Sequence, residues 1–424
     1  DEHENSGDPG PVASQAWFAR AVADAAHGVS ADKLVVTIGS YGYNWYPGGG
    51  DPVTVEEAWQ IARDSDAMPS FDPASGNSGF SYEEDGKKHV VWFLDAASAY
   101  NQIGFLRRAG LGGIALWRLG SEDPGIWSIF GRSHPTLPPA NVIEAIPNGT
   151  DVDIEGRGEI LKVGATPAAG QRKVTTGRDG GITAVDFLTL PSQYMIQRTG
   201  YSPNKIALTF DDGPDPQWTP KILDILKRYN APATFFMVGE NGLTERGLLE
   251  RIVREGHEVG SHTYTHPNLA GASATDTDIE LNANQRLFQA FTGRSLRLFR
   301  APYFGDAEPT TADELGPVYQ AQQRGYISVG LHVDAEDWQR PGVQAIIDNV
   351  VDGVAKRGTG CASGDDLQCS HNIVLLHDAG GDRQQTVEAL PTIIEKLRAM
   401  GFTLVPVSEL AGLSRDQAMP PISS

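Results

Sequence analysis

Two adjacent carboxylates, Asp211 and Asp212, close the stretch Leu208-Thr209-Phe210-Asp211-Asp212-Gly213-Pro214. The apolar run from Ile206 to Phe210 reads as a strand, and Gly213-Pro214 forbids its continuation. Neighbouring strand residues face opposite ways, so both carboxylates reach one spot only if the chain leaves the strand there. Gly213 is expected to supply that freedom. Further along, His262 and His266 lie in Ser261-His262-Thr263-Tyr264-Thr265-His266-Pro267. A spacing of four predicts two imidazoles on one side of a helical turn, which Pro267 then ends. Two histidines plus one carboxylate of the Asp pair have the composition of a catalytic zinc site with positions open to water and substrate. The same set can hold iron(II). Three more clusters follow: Arg300-Ala301-Pro302-Tyr303, Asp334-Ala335-Glu336-Asp337-Trp338 and Leu375-Leu376-His377. Singly, each has an ordinary structural explanation, as a surface ion pair, a solvated acidic loop or a strand-end histidine. A lone Asp-Asp-Gly-Pro would be a charged turn.

The elements that must position these residues alternate. Strands are expected at 206–210, 233–238, 257–260, 297–299, 327–331, 373–376 and 403–405, interleaved with helices at 220–229 (Thr219 its N-cap and Pro220 its first residue), 248–255, 276–291, 311–324, 343–356 and 386–400. Every polar cluster follows a strand, which is the face where parallel barrels build active sites. Residues 1–131 alternate as well, with helices at 13–26, 55–64 and 98–109, strands at 33–38, 89–93 and 113–117, and a short turn at 125–130. That pattern predicts a parallel sheet with helices packed on it. Between the two parts, Pro135, Pro138 and Pro139 mark a linker, and short segments such as 159–163 and 182–187 read as a small β-rich connector without chemistry of its own.

At 424 residues the chain is long enough for two or three units, and 40% apolar with 21% charged residues describes a globular protein with ample core. A formal net charge of −20 argues against nucleic acid or anionic membrane as partners, which would repel it, and favours a neutral or cationic substrate. No run is long enough to span a membrane, and no basic-then-apolar signal segment opens the chain. It begins at Asp1 rather than Met, so the natural amino terminus is expected to have been removed or not included. Cys361 and Cys369, in a Gly/Ser/Asp-rich loop, form either one local bridge or two idle thiols.

Together and in this order, the five clusters resemble the motifs of the polysaccharide deacetylase family, also called the NodB-homology domain or carbohydrate esterase family 4, from about 204 to 410. The resemblance implies a distorted (β/α) barrel and metal-dependent removal of acetyl groups from N-acetylated sugars. Carried over by position, Asp212, His262 and His266 are the expected ligands of a divalent metal, zinc first and other divalent transition metals as alternatives. Asp211 is the expected general base, paired with Arg300, which keeps it ionised. The backbone N–H of Tyr303 is an expected oxyanion donor. His377 is the expected general acid, with Asp337, or in its place Asp334, holding the imidazolium form. Trp338 and Leu375 are expected to wall a pocket for the acetyl methyl. The implied activity is N-deacetylation of N-acetylglucosamine-containing glycans such as chitin-like chains, peptidoglycan or exopolysaccharide. An acetyl-xylan-type O-esterase and a non-catalytic carbohydrate-binding protein are the alternatives.

Residues 1–134 resemble the closing strands of the family 18 glycoside hydrolase barrel, through Tyr41-Gly42-Tyr43-Asn44-Trp45 and Gly113-Ile114-Ala115-Leu116-Trp117-Arg118-Leu119-Gly120. That family's catalytic Asp-x-x-Asp-x-Asp-x-Glu strand is missing. The stretch Asp151-Val152-Asp153-Ile154-Glu155 matches it by chance, so the segment is expected to be a partial barrel, inactive as it stands, with a sugar-facing surface. The expected organisation is therefore 1–134 partial barrel, 135–203 linker and connector, 204–413 deacetylase and 414–424 tail. This arrangement resembles multidomain proteins that continue into a membrane-bound glycosyltransferase, which implies a catalytic part facing outward at the cell envelope.

Overall fold

The computed structural model describes residues 1–2, 8–130, 137–149, 152–303, 311–355 and 370–422. Cys361 and Cys369 lie outside the described residues. The chain forms two units: residues 1–149 with 167–193, and residues 150–166 with 194–424. Residues 135–203, expected as a connector, do form strands, but those strands divide between the two units.

In the second unit, strand Lys205–Asp211 is buried on both faces, through Ile206, Ala207, Leu208 and Phe210, as a parallel strand covered by helices requires. Parallel pairing runs in the order Val333–Asp334, Ile373–His377, Lys205–Asp211, Thr234–Met237, Glu258–Ser261, Leu298–Phe299 and Ile327–Val329. This is a (β/α)-barrel-like sheet that stays open. Antiparallel Ile160–Ala165 takes the edge of Ile327–Val329 and is followed by Tyr194–Thr199 and Val152–Gly156. Asp153 and Glu155 thus sit on an edge strand, and Asp151 is outside the described residues. Phe210, Phe235 and Phe299 of these strands share one apolar core with Phe288, Leu223, Leu281 and Leu390 of the helices. Phe210 stacks on Phe235 at 5.2 Å between ring centroids. Each such fully buried side chain contributes about 1.5–3 kcal/mol.

In the first unit the expected parallel sheet reduces to one pair, Val35–Gly39 with Gly113–Trp117. The other strands form an eight-stranded sheet, antiparallel throughout, that includes Gly42–Tyr46, Asn77–Glu84 and Lys87–Phe93. The cause is local. Asp85 and Gly86 both have positive φ (51° and 72°) and close a tight hairpin between Asn77–Glu84 and Lys87–Phe93, where strand twist favours left-handed turn residues. Among the described residues, no helix is long and apolar enough to cross a membrane.

Candidate active site

The strand register brings the predicted residues together at the carboxyl ends of the parallel strands. Asp211 is the direct neighbour of His377 across one pair of strands and of Phe236 across the other. Leu298–Phe299 pairs with the end of Glu258–Ser261, which sets Arg300 beside the loop that starts at His262.

Asp211 is 3% exposed, and its Oδ1 accepts a hydrogen bond from Arg300 Nη1 at 2.8 Å. Arg300 is itself buried and directs three further donors to Thr209 Oγ1 (2.8 Å), Val329 O (3.2 Å) and Gly330 O (3.1 Å), with its guanidinium over the Phe236 ring. A buried guanidinium held at this many points offsets the buried carboxylate and fixes which of its oxygens stays open. That oxygen, Oδ2, lies 3.8 Å from His262 Nε2.

Asp212 takes a left-handed conformation (φ 77°), so the chain leaves the strand at this residue and not at Gly213. Gly213 is required for space instead. A Cβ there would collide with Asp378 Oδ2, a buried carboxylate that accepts from Thr219 Oγ1 at 2.6 Å and that burial pushes up to about 7. Asp212 Oδ1 stands 3.1 Å from His266 Nε2 and 3.6 Å from His262 Nε2. One ligand atom from each of the three residues lies within 4.8 Å of the others. His262 Nδ1 donates to Arg300 O at 2.8 Å, because a carbonyl can only accept, and this leaves the Nε2 lone pair facing Asp212. Burial holds His262 below the ordinary histidine value, in the neutral form that a metal needs. Burial works against ionised Asp212, but the hydrogen bond with His266 and the nearby imidazoles hold its carboxyl below the usual range. An anionic oxygen and two convergent imidazole nitrogens fit a divalent cation. The two histidines are not on a helical turn as expected: residues 262–266 form an irregular loop, with Thr263 (φ 67°) and His266 (φ 61°) left-handed.

Opposite this set, His377 Nδ1 donates to Asp337 Oδ1 at 2.7 Å, and its backbone N–H donates to Asp337 Oδ2 at 3.0 Å. Burial alone would lower the His377 pKa. The Asp337 hydrogen bond and charge, reinforced by Asp211 and Asp212, outweigh it and raise the value to about 9. Asp337, not Asp334, is thus the partner of His377; Asp334 accepts the Glu336 N–H. Tyr303 is 68% exposed, in a left-handed conformation, with its ring centroid 4.9 Å from that of His266. Trp338 is 55% exposed, while Leu375 is buried in the apolar cluster of Phe236, Val329 and Leu331.

Several contributors have no motif to announce them. Asn241 Nδ2 donates to Asp212 O at 2.7 Å, and Thr386 Oγ1 donates to Asp337 Oδ2 at 2.7 Å. Arg383 Nη1 grips Asp337 O at 3.1 Å. Glu280 and Asn284, on helix Ala274–Thr292, bind the loop that carries the two histidines. The only sequence signal for that last pair is their spacing of four, which puts them on one helix face.

A (β/α)-barrel-like sheet with a two-histidine, one-carboxylate centre and a flanking carboxylate and imidazolium at its strand ends defines the class. Residues 199–316 match the family model described as polysaccharide deacetylase. A peptidoglycan-N-acetylglucosamine deacetylase of Bacillus cereus is 38% identical over 222 residues, covering 52% of this chain and 94% of that protein. A chitooligosaccharide deacetylase of Sinorhizobium fredii is 36% identical over 222 residues, covering 49% and 93%. Among solved structures, a crystal structure of a peptidoglycan N-acetylglucosamine deacetylase is 32% identical with a TM-score of 0.44, covering 51% of this chain and 92% of that one. The chain belongs to the polysaccharide deacetylase family.

Proposed function

We propose that this protein is a metal-dependent hydrolase that removes N-acetyl groups from N-acetylglucosamine-containing poly- or oligosaccharides, such as chitin-like chains, peptidoglycan or exopolysaccharide. The observation that carries this reading is the side-by-side placement of Asp211 and His377 across one strand pair, each with its own buried counter-charge, Arg300 and Asp337. Neighbouring groups held in opposite charge states make a base and an acid for one reaction.

Asp212, His262 and His266 would hold the cation. When bound, it supplies Lewis acidity toward the acyl carbonyl and acidifies water. Asp211 takes the proton of the attacking water through the carboxylate oxygen that Arg300 leaves open. Water oxygen bonds to the acetyl carbon and the amide C–N bond breaks. His377, protonated, delivers its Nε2 proton to the departing nitrogen, so the products are acetate and a free sugar amine. Asp337 Oδ1 holds the imidazolium through its Nδ1–H while Oδ2 accepts the His377 backbone N–H, and the Tyr303 N–H donates to the oxyanion. Trp338 and Leu375 bound the space for the acetyl methyl.

The relatives named above act on peptidoglycan N-acetylglucosamine and on chitooligosaccharides by their names, which supports the amide over the ester. Such substrates suit an outward-facing location at the cell envelope, with a glycosyltransferase region downstream. Residues 1–134 contribute a sugar-facing surface of family 18 type. Acetate release from chitooligosaccharides and from acetylated xylan, measured in parallel, tests the assignment. Release from the chitooligosaccharide alone is expected; release from xylan alone identifies the O-esterase, and release from neither identifies a binding protein.

A further inference from the structure

The loop that carries both imidazoles holds two non-glycine residues, Thr263 and His266, in left-handed conformations. Such conformations persist only where the surroundings over-determine them. One helix supplies much of that constraint. From Ala274–Thr292, Glu280 and Asn284 project on one face. The Glu280 carboxylate accepts the backbone N–H of Tyr264 (2.7 Å), the backbone N–H of Thr265 (2.8 Å) and the Thr265 hydroxyl (2.6 Å). Fully buried Asn284 donates from Nδ2 to Thr263 O (2.7 Å), Met237 O (3.0 Å) and Ser261 Oγ (3.0 Å). Met237 O also accepts the His262 N–H at 2.9 Å, so Asn284 reaches both flanks of the first imidazole, and Glu280 binds the two residues just before the second.

We propose that Glu280 and Asn284 are positioning residues that set the divalent-metal affinity of the Asp212–His262–His266 site by fixing the loop in its ligating shape before an ion arrives. This rests on the metal reading of those three side chains. Neither residue is a ligand. The Glu280 carboxylate is taken up by the loop backbone and Thr265, and the Asn284 amide nitrogen is spent on Thr263 O, Met237 O and Ser261 Oγ, while the convergent ligand atoms are those of Asp212, His262 and His266. A site whose ligands are already in place loses less freedom on binding, and removing such supporting partners typically costs about 10–100-fold in metal affinity.

The test is Zn2+ affinity of the full chain by competition with a chromophoric chelator, paired with thermal melts of the metal-free protein. Glu280→Ala and Asn284→Ala are expected to weaken Zn2+ binding about 10–100-fold. Glu280→Gln, whose amide oxygen can still accept the two backbone N–H groups, is expected to recover most of the loss. Ile394→Val, a mild core truncation away from the loop, controls for stability: it lowers the melting temperature with affinity unchanged. Wild-type affinity in Glu280→Ala would overturn the proposal, as would an equal loss in Ile394→Val. If Asn284→Ala fails to fold, the Glu280 pair decides. The underlying metal reading fails separately, if the wild-type chain and His266→Ala bind Zn2+ equally weakly.

Discussion

At the scale of single residues, the site depends on keeping one imidazole charged next to one carboxylate. Burial lowers the His377 pKa, but the Asp337 carboxylate that accepts its Nδ1–H, with the charges of Asp211 and Asp212, outweighs this and raises it to about 9. A raised histidine stabilises the folded state fully below its unfolded value of about 6.5, and that contribution is lost as pH rises through about 9. Activity that needs the imidazolium falls over the same upper limb. Asp337→Asn keeps the shape and removes the charge, so the alkaline limb of the kcat profile is expected to move down by a unit or more, with kcat reduced roughly 10²–10⁴-fold. An unmoved limb would show that His377 is not the acid. Asp211→Asn is expected to lower kcat by at least about 10²-fold with Zn2+ affinity within a few-fold of wild type; retained turnover would rule out the base role. These residues were legible in the sequence because each is an unusual type at a strand end. Asn241, Glu280, Asn284 and Thr386 were not, because a polar residue on a helix reads as solvated until the fold shows what its buried face touches.

At the scale of elements, the βα alternation of the second unit could be read closely, since each strand is an apolar run ended by a polar cluster. Helix Thr219–Tyr229 begins one residue before the predicted first residue Pro220, with Trp218 and not Thr219 at its N-cap, and strand Ile373–His377 extends the predicted 373–376 by one residue. The antiparallel sheet of the first unit was missed at Asp85-Gly86, where two residues decide a hairpin, and the histidine loop was misread as helical. A spacing of four is satisfied equally by a turn and by an irregular loop held from outside. His257, at the entry to Glu258–Ser261, gives an element-scale prediction. Burial lowers it to about 4, so the folded protein keeps it neutral while the unfolded chain takes up a proton below about 6.5. Stability is therefore fully present above 6.5 and is lost as pH falls toward 4. Urea unfolding should show about 2 kcal/mol lost from this residue between pH 7 and 5, absent in His257→Gln. Equal pH slopes in the two proteins would contradict it.

At the scale of the whole molecule, the sequence boundary at residue 204 cuts through a unit. The sheet of the second unit includes Val152–Gly156, Ile160–Ala165 and Tyr194–Thr199, and buried Glu159 accepts the backbone N–H groups of Asn372 and Ile373 at the base of the strand that ends in His377. Long-range pairing of this kind leaves no periodicity signal, which is why residues 135–203 read as a separate connector. A fragment of residues 204–424 is expected to melt at least about 4 °C below the full chain, or to aggregate through its uncovered Ile327–Val329 edge. A fragment as stable and monodisperse as the full chain would show that the added strands are dispensable.

The central claim is that Asp212, His262 and His266 hold one divalent ion beside an acid and base that cleave an N-acetyl group. It is tested most directly by acetate release from a chitooligosaccharide, assayed on the full chain as purified, after chelation, and after returning Zn2+. Release that stops on chelation, returns with Zn2+ and is absent in His266→Ala is the predicted result. Release that continues undiminished in the chelated protein or in His266→Ala would contradict it.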